Sequence, residues 1–154
     1  MSFGQRELEG MIARGELEEC PPDAAGADKL IAKARVHHAT AAAVVGTDPE
    51  TAADALHAGN RKALEAVLLA RGLRPTKSGG HIAARDGVKV TIGGGRTLRV
   101  YDVVRRVRHE GDYLSADSDV DPEDVTANLG DSEALVDSCA AAKDAVPVFV
   151  RGRR

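Results

Sequence analysis

The sequence predicts an all-α fold: an up-and-down antiparallel bundle of four main helices with a short N-terminal helix in front of it. Three observations lead there. Apolar residues recur at three- and four-residue spacing through long stretches of the chain. Acidic N-cap residues followed by proline mark two helix starts, at Asp48-Pro49 and Asp121-Pro122. The aromatic fraction is only 3%, with no Trp, so Ala, Val and Leu must fill the core. Small aliphatic side chains suit closely packed helices better than a β-sandwich.

Residues 5–19 read as a short amphipathic helix carrying Leu8, Met11, Ile12 and Leu17, weakened by Gly10 and Gly15. Cys20-Pro-Pro-Asp23 ends it. Asp23 caps a helix running to about Val45, with Ala27, Leu30, Ile31, Ala34, Ala41, Val44 and Val45 as its stripe. The Asp48-Pro49 start opens a helix to about Arg71, with Ala53, Leu56, Ala63, Leu64, Val67 and Leu68 inward and Gly72 as its stop. Residues 73–80 read as a loop. Residues 81–95 are ambiguous: Val88-Lys-Val-Thr-Ile92 alternates like a strand but has nothing obvious to pair with, so a weak helix or irregular loop is expected. A helix from about Thr97 to Tyr113 follows, with Leu98, Tyr101, Val104 and Val107 inward. After an acidic loop, the Asp121-Pro122 start opens a last helix to about Ala145, with Val125, Leu129, Ser132, Val136 and Cys139 on one face. Pro147 stops it, and Val148-Phe-Val150 can pack back on the bundle. The expected organisation is an N-terminal helix and linker over 1–22, the bundle over 23–146 and a basic tail over 147–154.

Composition narrows function by exclusion. No apolar run approaches the roughly 18 residues that span a bilayer, so no membrane partner is expected. The N-terminus lacks the basic start and apolar stretch of a signal peptide, and Cys20 and Cys139 match no metal-ligand spacing. A cytoplasmic location with free thiols is the expectation. His37 and His38 are adjacent, about 100° apart on a helix, and form no compact metal site alone. Gly93-Gly-Gly95 lacks the Lys-Ser/Thr ending of a phosphate loop. No metal and no cofactor is expected.

The net charge of −3 conceals segregation. From Arg96 to Arg108 five Arg stand against one acid, Asp102, whereas from Glu110 to Asp144 eleven acids stand against Lys143. Either the two helices complement each other or they present two faces to different partners. Arg96, Arg99, Arg105, Arg106 and Arg108 are the candidate nucleic-acid-binding residues. Arg108 falls four residues after inward Val104, so it faces inward or into a groove and needs an acid or a phosphate as partner. Arg108, His109 and Tyr113 lie within about a turn and a half. Together they could hold a phosphodiester, with His109 as acid or base and Tyr113 as a hydrogen-bond donor.

The stretch from residue 23 to 145 resembles the HEPN family of small prokaryotic helical bundles. The resemblance rests on Asn60-Arg-Lys-Ala-Leu64, Gly72-Leu-Arg-Pro-Thr76 followed by Gly79-Gly-His81, the Arg-rich segment ending in Asp112-Tyr113, and Val120-Asp-Pro-Glu-Asp-Val125. Many members of that family are metal-independent ribonucleases whose cleavage site forms across a dimer from an Arg, a polar residue and, a few residues on, a His. Others are non-cleaving partners, often of a nucleotidyltransferase in toxin–antitoxin modules. In this chain Arg108 matches the motif Arg, His109 the polar residue, and Tyr113 stands where His is expected. The register from Arg105 to His109 leaves three residues between them, one too few. With a reference pKa of about 10, a Tyr does not shuttle protons near neutrality as His does. The resemblance therefore implies a non-cleaving antitoxin or regulatory partner of a nucleotidyltransferase, acting as a homodimer or hetero-oligomer, with Tyr113 as a modification site. The alternatives are a ribonuclease toxin and an RNA- or nucleotide-binding module.

Overall fold

The computed structural model describes residues 3–111, 116 and 119–152, and only the backbone of His81, Glu110 and Gly111. About 74% is helical, in six helices with one two-stranded sheet among the described residues. The order is α1 (Gln5–Ala13), β1 (Leu17–Glu19), α2 (Ala24–Val44), α3 (Pro49–Arg71), β2 (Leu73–Pro75), α4 (Gly80–Ile92), α5 (Gly95–Gly111) and α6 (Pro122–Ala145).

Three aspartates open helices as their positions suggest. Asp23 accepts from the Gly26 amide at 2.7 Å, Asp48 from Thr51 at 3.0 Å and Asp121 from Glu123 at 2.9 Å. Each satisfies an amide that the first helical turn leaves without a partner. At the far end of α3, Gly72 adopts φ +83°, and a Cβ there would sit 2.9 Å from the Cys20 carbonyl oxygen. A left-handed turn against a close backbone is open to glycine alone.

Two stretches differ from the expectation. The N-terminal helix ends at Ala13, not at 19: Gly15 turns the chain at φ +72° and residues 17–19 become a strand. The expected loop at 73–80 supplies its mate, with Leu17, Glu18 and Glu19 opposite Pro75, Arg74 and Leu73. The pair forms because Gly72 reverses the chain immediately after α3 and lays residues 73–75 along β1. Of the two readings of residues 81–95, the helix is found. Ala83, Ala84, Gly87, Val88 and Thr91 are its buried positions, a spacing of one helical face. Gly87 lets it lie close to α3, since a Cβ there would be 3.1 Å from Leu68.

Helix α3 is the hub, touching α2, α4, α5 and α6. It buries Leu56, Leu64, Val67 and Leu68, as expected, and also His57, Asn60 and Arg71. The core is continuous from Leu8, Met11 and Leu17 at the N-terminal end to Phe149 in the tail. Arg71 ties these ends together. It is 1% exposed, and its guanidinium donates to the carbonyl oxygens of Phe3 (2.8 Å) and Pro147 (3.0 Å) and to the Thr91 hydroxyl (3.1 Å). The Phe149 ring centre lies 6.0 Å from the guanidinium carbon, and the Phe149 amide donates to the Arg71 carbonyl at 2.8 Å. Burial lowers the pKa of Arg71. Carbonyl dipoles and a ring face take the place of a counter-ion. Both cysteines are free, and burial pushes the Cys139 thiol up to about 12. No helix is long and apolar enough to cross a membrane among the described residues.

Candidate functional site

Helix α5 buries Leu98, Tyr101, Val104 and Val107, as its periodicity suggests, and also Val100. That fixes the direction of its arginines. At about 100° per residue, Arg96, Arg99 and Arg106 fall within an arc of about 80°, whereas Arg105 and Arg108 lie on another side. The first three are exposed and the other two half-buried. Two basic surfaces result.

Arg108 faces a groove of about 550 Å³ between α3 and α5, lined by Asp54, His57, Arg61, Lys62 and Glu65 from α3. Its Nε donates to Asp54 Oδ1 at 3.1 Å, an ion pair at the groove edge. Arg61 pairs along its own helix with Glu65 at 2.9 Å. Lys62 makes no ion pair among the described residues. Beneath them His57, 4% exposed, packs its ring 5.4 Å from that of Tyr101 at an interplanar angle of 37°. Burial pushes the Tyr101 phenol up to about 12, outweighing the nearby Arg61 and Arg105, so it stays protonated at neutral pH. Among the described residues three cations and two carboxylates line the groove. Its excess positive charge suits a phosphate or an acidic protein surface.

The one acid within the basic stretch is already committed. Asp102 accepts two hydrogen bonds from Arg85 of α4, at 3.2 Å from Nε and 3.0 Å from a terminal nitrogen. Asp86 and Asp102 together hold the Arg85 pKa above its ordinary value. The acidic helix α6 turns elsewhere: Asp137 pairs with Arg35 of α2 at 2.8 Å, and Lys143 bridges to Asp28 of α2 at 2.6 Å. Among the described residues, ion pairs thus link α6 to α2, and α5 to α3 and α4.

Of the residues singled out from the sequence, Arg108 enters the groove, while His109 is exposed and is not among its lining residues. Tyr113 lies outside the described residues, as does Asp112. Arg105 keeps a buried Nε with no hydrogen-bond partner among the described residues. Sequence reasoning missed the α3 side of the groove. Its signal was present in Asp54, Ala58, Arg61 and Glu65, spaced four, three and four apart on a face distinct from that of Leu56 and Leu64. No group of three or more metal-ligating side chains occurs among the described residues.

No protein-family model, no curated protein and no solved structure matches the chain.

Proposed function

We propose that the chain is a HEPN-like module built on an up-and-down bundle of α2, α3, α5 and α6. In this reading it is the non-cleaving, antitoxin or regulatory partner of a nucleotidyltransferase in a toxin–antitoxin-type pair. The observation that carries the reading is the groove around Arg108. It offers a half-buried guanidinium with Arg61 and Lys62 beside it, but no accessible imidazole among the described residues. Both His57 ring nitrogens are buried from solvent, and His109 lies outside the groove lining. Such a recess binds negative charge and lacks a described group placed to move a proton near neutrality. The ligand is an acidic surface of the partner. Tyr113 is the residue that this reading assigns to nucleotide attachment.

The test is co-purification and light scattering with the product of the adjacent gene, which this reading expects to be a nucleotidyltransferase, together with incubation of the chain alone with total RNA. A defined complex, weakened about tenfold or more by Arg108→Ala and unaffected by Arg96→Ala, is expected, with intact RNA. RNA cleavage abolished by Arg108→Ala would install the ribonuclease reading instead. A strict monomer at high concentration, alone and with the partner, would sink the pair. A second reading is favoured by Arg96, Arg99 and Arg106, exposed along one side of α5: a face for an RNA backbone. RNA binding that weakens with salt and with Arg106→Ala, but not with Arg108→Ala, would select it.

A further inference from the structure

On the other side of α3, away from the Arg108 groove, a polar chain crosses the bundle from α2 to α6. His38 of α2 pairs through Nε2 with Asn60 Oδ1 at 2.9 Å. Asn60 Nδ2 donates to the Ser132 hydroxyl of α6 at 3.1 Å. Asn60 and Ser132 are both 0% exposed. The amide oxygen can only accept, so His38 carries its proton on Nε2. Gly59 makes the approach possible: a Cβ there would lie 2.5 Å from His38 Cδ2 and 2.9 Å from the Ala34 carbonyl oxygen. The Cδ2–Nε2 edge of the ring thus faces α3, and the opposite edge, with the Nδ1 lone pair, is turned away from it.

His38 also lines a cleft of about 290 Å³ between α2 and α6, with Arg35, Ala39 and Ala42 on one wall and Leu129 and Glu133 on the other. The cations and anions here are unevenly committed. Arg35 is taken by Asp137 at 2.8 Å, one turn beyond Glu133 on α6. Glu133 has no ion pair among the described residues. Desolvation lowers the His38 pKa, against the smaller opposing influences of Asn60 and Glu133, so the ring is neutral near pH 7. With Arg35 held by Asp137, Glu133 is the lining charge left without an ion pair among the described residues, beside a neutral nitrogen acceptor and the apolar side chains of Ala39, Ala42 and Leu129. A water's share of liquid volume is about 30 Å³, so a cleft of this size holds a molecule of about ten heavy atoms.

We propose that the cleft between α2 and α6 binds a small organic cation, an ammonium or guanidinium group on a short aliphatic stem, with Glu133 as counter-ion and His38 Nδ1 as a hydrogen-bond acceptor. The stem lies on Ala39, Ala42 and Leu129. The buried Asn60–Ser132 pair holds the imidazole in the tautomer that accepts from the ligand. This site is independent of the Arg108 groove. Binding weakens as pH falls through the folded-state pKa of His38, which burial holds below the ordinary histidine value, because protonated His38 repels the ligand. The charged and titratable groups facing the imidazole are Glu133 from α6 and Arg35 and His37 from α2, with neutral Asn60 from α3.

The test is a titration of the full-length ¹⁵N-labelled chain with agmatine, and with butyrate as a stem of opposite charge. Saturable shifts at the Ala39, Ala42 and Leu129 amides, with a Kd at or below about 1 mM for agmatine and none for butyrate, are expected. Glu133→Gln should weaken binding by about tenfold, and Ala42→Leu, which puts a larger side chain on the cleft lining, should do so without altering charge. Thermal melts of both variants check the fold, and either variant alone decides if the other unfolds. No saturation at 10 mM agmatine, equal binding of butyrate, or an unchanged Kd in a folded Glu133→Gln protein would each overturn the assignment.

Discussion

Replacing Arg71 with Met tests what holds the two ends of the chain to the bundle. The substitution keeps a long unbranched side chain, so it opens little cavity. It deletes three hydrogen bonds from a guanidinium, to the Phe3 and Pro147 carbonyls and the Thr91 hydroxyl. A charge-assisted bond contributes about 1.5–3 kcal/mol, and each buried acceptor left without a donor costs about 1–3 kcal/mol. Thr91 is spared the second cost, because its hydroxyl still donates to the Gly87 carbonyl at 2.7 Å. Against the loss stands the relief of a buried cation, itself worth several kcal/mol. The balance predicts destabilisation of about 3 kcal/mol, or about 6–12 °C in Tm for a domain of this size. Urea denaturation with constant m measures it. Hydrogen exchange at the Phe149 amide should accelerate more than exchange in the middle of α3, since the Pro147 anchor is gone. A loss below about 1 kcal/mol with Phe149 still protected would refute the reasoning. Desolvation would then cancel the hydrogen bonds, leaving the Phe149 ring to hold the tail.

Three further outcomes are expected. Gly59→Ala should destabilise by about 1–2 kcal/mol despite the better helix propensity of Ala, because the new Cβ meets the His38 ring and the Ala34 carbonyl; a thermal melt above that of the parent would contradict it. Because burial depresses the His38 pKa, the unfolded chain takes up the proton first as pH falls, so His38's contribution is intact above about pH 6.5 and is lost between there and its lower folded pKa. Urea midpoints from pH 4.5 to 8 should therefore fall more steeply across that window than those of His38→Gln, and parallel curves would exclude the linkage. Cys139→Ala should cost about 1–2 kcal/mol through lost packing, whereas neutral-pH thiol reagents should leave the native residue untouched, since burial keeps it protonated; rapid labelling of folded protein would show the core to be open there.

What could be read in the sequence depended on whether the signal was local. The caps at Asp23, Asp48 and Asp121 act on amides two or three residues away, so the residue types alone located three helix starts. Helix α4 resisted because Val88-Lys-Val-Thr-Ile92 combines β-branched residues with strand-like alternation. Its true face runs through Ala83, Ala84, Gly87, Val88 and Thr91, two of which do not count as apolar in a pattern search. Packing on Leu68 overrides propensity there. The β1–β2 pair joins residues more than fifty positions apart, and nothing in Leu17-Glu-Glu19 names its mate. Arg71 was legible only as a helix end. That its guanidinium serves Phe3 and Pro147 depends on both chain termini returning to one place.

The Arg-rich helix shows the same limit in its charges. A count of five arginines against one acid suggests one basic face, and the structure divides it. Leu98, Tyr101 and Val104 must point into the core, and their phase leaves Arg96, Arg99 and Arg106 on a different side from Arg105 and Arg108. Asp102 neutralises neither set, because Arg85 occupies it from α4. Among the described residues, Arg108 is the α5 arginine that gains an acid from α3, and Asp54 holds it at the groove edge, half exposed, rather than drawing it into the core. The Asp54 pair fixes where this guanidinium sits at the groove edge, and a surface ion pair of this kind contributes only about 0–1 kcal/mol. The exposed trio has no such positioning and offers charge without shape. Substituting the two sets separately tells a shaped partner site at the groove from a diffuse polyanion surface along the helix, a distinction that net charge does not contain.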